Sequence, residues 1–169
     1  MKTRRYLVSL VLFAALAGPA TAQAQGIAGT LRSTSGGSVS VEQLRGHVTV
    51  LMFGGLVDPQ SPEELPVLQR LATKYAGRNV SVYWVSLDPD ATTDAALTAF
   101  AASNGFQGQV LRDSSGAVLR SVSGSRKPQL PTILVLDANG AVAGQPVGGF
   151  DRDADTIGQI SRVIDPLLR

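Results

Sequence analysis

Residues 130–140 read Leu-Pro-Thr-Ile-Leu-Val-Leu-Asp-Ala-Asn-Gly. Thr132–Leu136 is an unbroken apolar run rich in branched side chains, the mark of a strand covered on both faces. Asp137-Ala138-Asn139-Gly140 reads as a hairpin turn, because Asn-Gly accepts the positive φ values of a tight type I′ turn. Ala141–Gly144 then begins the return strand. Two further runs of the same kind come earlier in the chain. His47–Phe53 (HVTVLMF) is broken by Gly54-Gly55, and Val80–Leu87 (VSVYWVSL) is closed by Asp88-Pro89-Asp90.

Helical patterns fill the spaces between these runs. Pro62–Tyr75 carries Leu65, Leu68 and Leu71 at helical spacing and stops before Gly77. Thr93–Ser103 is a second helix, capped by Thr92 or Thr93 and ended by Gly105. Val41–Leu44 is a single turn. Asp155–Leu168 is a closing helix, interrupted near its end by Pro166. Three shorter pieces complete the reading. A strand is expected around Ile27–Leu31, Gln109–Arg112 reads as a sheet edge, and Ala117–Val122 is either a short helix or extended. Strands alternating with helices predict parallel βαβ units. The expected fold is therefore α/β: a central mixed sheet flanked by helices, with an antiparallel hairpin and a helix at the C-terminus.

The first 24 residues read as an address. Lys2, Arg4 and Arg5 precede an uncharged apolar stretch, Tyr6–Ala17, followed by Gly18-Pro19 and the small residues of Ala22-Gln23-Ala24. That is the three-part pattern of a cleavable signal peptide, with the cut placed after Ala24. A dozen apolar residues fall short of the roughly 20 that span a bilayer, so no lasting membrane anchor is expected. The reading leaves residues 25–169 as one domain in the periplasm or the medium. Its loss also changes the charge. The fifteen Lys and Arg of the whole chain become twelve, against thirteen Asp and Glu. The excess of positive charge belongs to the leader, and a nucleic-acid partner, which needs a basic stripe on the domain, is not expected.

The chain has no cysteine and one histidine. Disulfides, thiol nucleophiles, cysteine-bound zinc and iron–sulfur clusters are thereby excluded. An exported domain without disulfides must be held by its core alone, and about 145 residues suffice for that.

Four stretches carry a resemblance to a known family. They are Leu44–Phe53 (LRGHVTVLMF), Pro62–Leu68 (PEELPVL) with Pro66 inside it, the Asp113–Gly116 turn, and Leu130–Gly140. Their order and spacing, over roughly residues 29–168, resemble the thioredoxin-like fold. More narrowly, they resemble exported TlpA-type thioredoxins and the redoxin group related to AhpC/TSA peroxiredoxins. The resemblance implies a dithiol site before the first long helix and a cis-proline facing it. Counting back from Pro66, the two cysteine positions fall on Asp58 and Ser61, with Pro59 and Gln60 between, and the preceding tryptophan falls on Val57. The single cysteine of a peroxiredoxin would also fall on Asp58. Thiol–disulfide exchange and peroxide reduction need a thiolate, so the family's chemistry does not carry over, and no catalytic residue is expected. The cis-proline corresponds to Pro131, and the residue before it, which in the family offers its backbone to an extended peptide, is Leu130.

Other readings of these residues are structural. Asp58-Pro59 suits a helix start, and Ser61-x-x-Glu64 matches a capping box with Pro62 just inside. His47, the single imidazole, is expected on the surface. Asp151-Arg152-Asp153-Ala154-Asp155 fails as a calcium loop, because Arg162 stands where a bidentate glutamate is required. Tyr83 and Trp84 are expected in the core, and Arg126 and Lys127 are loop charges near the proline. Neither cofactor nor metal is expected. The functional expectation is a redox-inactive binding or accessory module. Its groove, formed by Val57, Asp58, Ser61, Leu130 and Pro131, takes an extended peptide or exported protein by strand-like addition. The alternatives are a family-type oxidoreductase or antioxidant by label only, and a glutathione-binding enzyme in which the Ser61 hydroxyl steadies a bound thiolate.

Overall fold

The structure is a computed structural model and describes residues 28–123, 128–148 and 155–169. The expected leader (residues 1–24), Arg126, Lys127 and Asp151–Ala154 lie outside the described residues. Among the described residues, seven strands and four α-helices follow one another. They are β1 (Thr30–Ser33), β2 (Ser38–Ser40), a 3-10 turn (Val41–Leu44), β3 (Val48–Gly54), α1 (Ser61–Lys74), β4 (Val80–Ser86), α2 (Asp94–Ser103), β5 (Gln109–Arg112), α3 (Ala117–Ser123), β6 (Thr132–Leu136), β7 (Val142–Gly148) and α4 (Thr156–Leu167). They build a single mixed sheet in the order β2-β1-β5-β4-β3-β6-β7. β3, β4 and β5 run parallel, joined through α1 and α2, and β6 and β7 add antiparallel beside β3.

Alternation along the buried strands divides the core in two. On β3, Val48, Val50 and Met52 face α1, α2 and α4, packing with Leu65, Leu68, Leu97 and Ile160. Leu51 and Phe53 face the other way, toward Val118 and Leu119 of α3 and toward Leu44 of the 3-10 turn. Trp84 is buried in the first layer, its ring 5.6 Å from that of Phe100. Tyr83, pointing to the opposite face, is partly buried against the second layer. His47 stands just outside β3 and is exposed.

Several local expectations are corrected. Gln109–Arg112 is not an edge: β5 pairs with β4 on one side and with β1 on the other. The cause is non-local, because β1 folds back from the far end of the sequence. β4 is not buried along its whole length. Val80–Tyr83 are half-buried and only Trp84–Ser86 are buried, because β5 pairs only with Tyr83–Ser86 and leaves the first half of β4 without a neighbour on that side. The turn after β6 is not type I′, since Asn139 does not take a positive φ and Gly140 alone does, at 80°. Asp137 opens the turn one residue earlier, accepting from the N–H groups of Asn139 and Ala141 at 2.9 Å each. The result is a three-residue loop closed by a left-handed glycine. Pro166 does not interrupt α4, which runs on to Leu167; so near the end, its missing N–H removes a single helical bond.

Both edges of the sheet are short or distorted. β2 has three residues. On β7, Ile133 pairs with Val147 and Val135 with Ala143, so Gly144, Gln145 and Pro146 lie opposite Leu134 alone. Gly144 takes φ +71° there, and Pro146 has no N–H to offer a further strand.

One buried cation ties β5 to the loop before α2. The guanidinium of Arg112 donates to the carbonyl of Thr92 at 2.6 Å, to Asp94 Oδ1 at 2.8 Å and to the carbonyl of Pro89 at 2.8 Å. Asp94 also takes two bonds from Arg32. Hydrogen bonds from Arg32 and then Arg112 hold its carboxyl below the usual carboxylate range.

Candidate functional site

The C-terminal ends of β3, β4 and β5 and the N-terminus of α1 meet at one end of the sheet. β6 begins there, because its antiparallel register sets Phe53 opposite Thr132. This is the place where parallel α/β sheets leave a crevice. It brings the loop after β3, which holds Val57–Gln60, to the start of β6, where the Leu130–Pro131 peptide bond is cis.

The loop is organised by two carboxylates. Asp58 Oδ1 accepts from the Gln60 N–H at 3.1 Å, and its Oδ2 accepts from the Ser61 hydroxyl at 3.1 Å. The Ser61 N–H returns to the Asp58 carbonyl at 3.2 Å, closing a four-residue turn. Ser61 Oγ itself accepts from the Gly55 N–H at 3.3 Å. The second carboxylate, Asp88, is buried beneath the loop. It accepts from the Leu56 N–H at 3.1 and 3.2 Å and from the Ser86 hydroxyl at 2.8 Å. These contacts explain the glycine pair. A Cβ on Gly54 would lie 2.6 Å from Ser61 Oγ, and one on Gly55 would lie 3.3 Å from both Asp88 oxygens. Sequence reading assigned Asp88 only to a turn. The signal available was the Ser86-x-Asp88 spacing at a strand end, where a hydroxyl two residues back can meet the carboxylate.

The expected capping box is not formed. Ser61 is already the first helical residue, and Gln60 at the N-cap makes no side-chain cap bond. Asp58 binds both the Gln60 amide and the Ser61 hydroxyl, so the polar organisation of this helix end lies ahead of the helix. Glu64 does not reach back. It lies on the same face of α1 as Ser61 and Leu68, is buried, and its Oε2 has no partner. Burial pushes its carboxyl up, with Glu63 adding to the effect and Arg70 opposing it. A carboxyl raised in the folded state favours folding least when ionised. Stability is therefore lost as pH rises from the ordinary value of 4.5 through the raised one. Glu64→Gln is expected to raise the melting temperature at pH 7 and to leave it unchanged near pH 3.5. Melting curves at the two pH values check this; an equal change at both would mean that the carboxyl is not the cause.

Among the described residues, two large hydrophobic side chains stand out in solvent: Val57, 92% exposed, and Leu130, 36% exposed. Both belong to this end of the sheet. Asp58 and Gln60 are half-buried, Pro59 is exposed, and Ser61 and Pro131 are buried. Pro131 Cβ and Ser61 Oγ both lie against Gly54, Pro131 at 3.6 Å from where a Cβ would stand. Among the described residues, the Leu130 backbone makes no hydrogen bond. Nor do the described residues hold a group of three or more side chains able to bind a metal ion.

The fold is shared with solved proteins. A thiol:disulfide interchange protein of the thioredoxin family from Chlorobium tepidum is 18% identical, with a TM-score of 0.68 over 89% of this chain and all of that one. A secreted disulfide oxidoreductase from Mycobacterium tuberculosis is 20% identical, with a TM-score of 0.63 over 82% of this chain and 96% of that one. MTB dsbF, solved in mixed oxidised and reduced forms, is 22% identical, with a TM-score of 0.65 over 87% of this chain and 99% of that one. These likenesses show a thioredoxin-like fold. No curated protein sequence matches the chain. The AhpC/TSA family model, however, matches residues 22–145, a span that runs from before β1 through β6. By that match, and in a fold that agrees with it, the chain belongs to the AhpC/TSA family, although neither thiol position of its site holds sulfur.

Proposed function

We propose that this protein is an exported, non-catalytic binding module that holds an extended peptide or protein segment across Val57, Asp58, Ser61, Leu130 and Pro131. The observation that carries the reading is the exposure of two apolar side chains, Val57 in the loop after β3 and Leu130 at the start of β6, on the two segments that form this site. The Leu130 backbone, which bonds to none of the described residues, supports strand-like addition, in which main-chain bonds give affinity and neighbouring side chains give selection. Export is supported by the leader pattern of residues 1–24. Among the described residues, no helix is long and apolar enough to cross a membrane.

The absence of sulfur at positions 58 and 61 argues against thiol chemistry by this chain. A glutathione-binding role for Ser61 finds little support. The residue is 0% exposed, and its hydroxyl proton is directed to Asp58.

The test is capture from a periplasmic extract, with the protein beside its Val57→Asp and Leu130→Asp variants, each checked for fold by circular dichroism. Burying one aliphatic side chain is worth about 1.5–3 kcal/mol, so each variant is expected to lose at least about tenfold in affinity. Equal retention by all three proteins, or no retained protein at all, would overturn the proposal. A thermal shift with millimolar glutathione would favour the enzyme reading instead.

A further inference from the structure

The outward place of Val57 follows from two consecutive turns. The Asp58 N–H reaches the Gly55 carbonyl at 3.3 Å and closes the first, Gly55–Asp58. The Ser61 N–H reaches the Asp58 carbonyl at 3.2 Å and closes the second. Leu56 and Val57 are the two corner residues of the first turn. Leu56 packs inward against the core layer of α1, α2 and α4, and Val57, next to it, is left in solvent. The second turn is held from within, by the Asp58 carboxylate. The first is held from outside. Among the described residues, the Leu56 N–H makes the one hydrogen bond from Gly55–Gln60 to a residue beyond the loop and α1, and its acceptor is Asp88.

Asp88 is itself fixed. Its Oδ2 accepts from the Ser86 hydroxyl at 2.8 Å, and its own N–H returns to Ser86 Oγ at 3.1 Å. Ser86 ends β4, between β3 and β5. On the other side, the Pro89 carbonyl accepts from the buried Arg112 guanidinium at 2.8 Å. Asp88 is 5% exposed, so little water competes for the Leu56 amide. We infer, on the basis of the groove proposed above, that Asp88 is a positioning residue for it: by holding the Leu56 amide beneath the loop, its carboxylate sets Val57 outward before a partner arrives. Asp88 does not touch the partner and acts through Leu56. The gain is preorganisation. Having to order the backbone of one residue on binding would cost about tenfold in affinity, even with the Val57 side chain intact.

The experiment measures amide hydrogen exchange in the unaltered protein, Asp88→Ala, Asp88→Asn and Ser86→Ala, and repeats the capture from periplasmic extract with each. In Asp88→Ala the Leu56 amide is expected to exchange at least about tenfold faster, the loss of one bond to a charged group. Shift changes should stay within the loop, and Val50 and Leu51 of β3 should exchange as before. Capture should fall about tenfold although Val57 is still present. Asp88→Asn keeps an acceptor oxygen of the same reach and should restore both readouts. Ser86→Ala, which only loosens the carboxylate, should fall between. Three results would overturn the inference: an unchanged Leu56 amide in Asp88→Ala, a β3 that exchanges as much faster as Leu56 does, and undiminished capture from a loosened loop. If Asp88→Ala does not fold, Ser86→Ala decides, with the same three results counting against the inference. If the unaltered protein captures nothing, the groove reading fails, and exchange still shows whether Asp88 holds the loop.

Discussion

The double substitution Asp58→Cys, Ser61→Cys is expected to form an intrachain disulfide and to give this protein an insulin-reducing activity. The backbone is already arranged for it. The Ser61 N–H bonds the Asp58 carbonyl at 3.2 Å, and such a four-residue turn holds its outer Cα atoms within about 7 Å. The upper end of the disulfide range is about 6.8 Å. The two side chains already meet, Ser61 Oγ lying 3.1 Å from Asp58 Oδ2. Position 58 also lies just before α1, and a helix N-terminus lowers a thiol pKa and so favours the reactive thiolate. Thiol titration should find two groups in the reduced variant and none after oxidation. The turbidity assay should change from no turnover in the unaltered protein to turnover above that of dithiothreitol alone. If the disulfide forms without turnover, the deficit lies in the groove and not at positions 58 and 61. If both thiols stay titratable after oxidation, the turn does not hold the side chains as described.

Arg112→Met is expected to be the most destabilising single change at a polar residue, at about 3 kcal/mol. The Arg112 side chain is 1% exposed. Its removal takes a donor from Asp94 and from the carbonyls of Thr92 and Pro89. The loss is moderated because Nε of the same guanidinium has no partner, and that unmet group leaves with the side chain. Arg32→Ala, which removes an exposed partner of the same Asp94, is expected to change stability little. Urea denaturation of the two variants separates these outcomes. Equal midpoints would mean that Arg112 acts as a surface ion pair and not as the tie between β5 and the α2 loop.

The parts of the fold that were legible in the sequence are those that short-range pattern dictates. β3 and β6 are continuous branched runs, α1 repeats its leucines at helical spacing, and Thr93 caps α2 by accepting from the Ala96 N–H. What pairing decides was not legible. Val110 and Leu111 look the same in an edge strand as in an interior one. Only the return of β1 makes β5 interior, and Ser-Val-Ser of β2 is too short to register as a strand. The site divides in the same way. Positions 57–61 and 130–131 were reached through the family resemblance, counted from Pro66 and from the β6 run. Of the buried acids, Asp88 left only the Ser86-x-Asp88 spacing as a sign, and nothing local distinguishes Glu64 as a cap partner from Glu64 facing the core.

The bulge of β7 bears on how copies of this protein behave at high concentration. Native sheets that end in a flat, open strand can zip to one another, each edge templating the next. Here one margin is three residues long, and the other turns aside at Gly144 and lacks a donor at Pro146. Folded molecules can therefore crowd together without polymerising through their sheets. Aggregates that form on heating should accordingly follow the fraction unfolded rather than the concentration of folded protein.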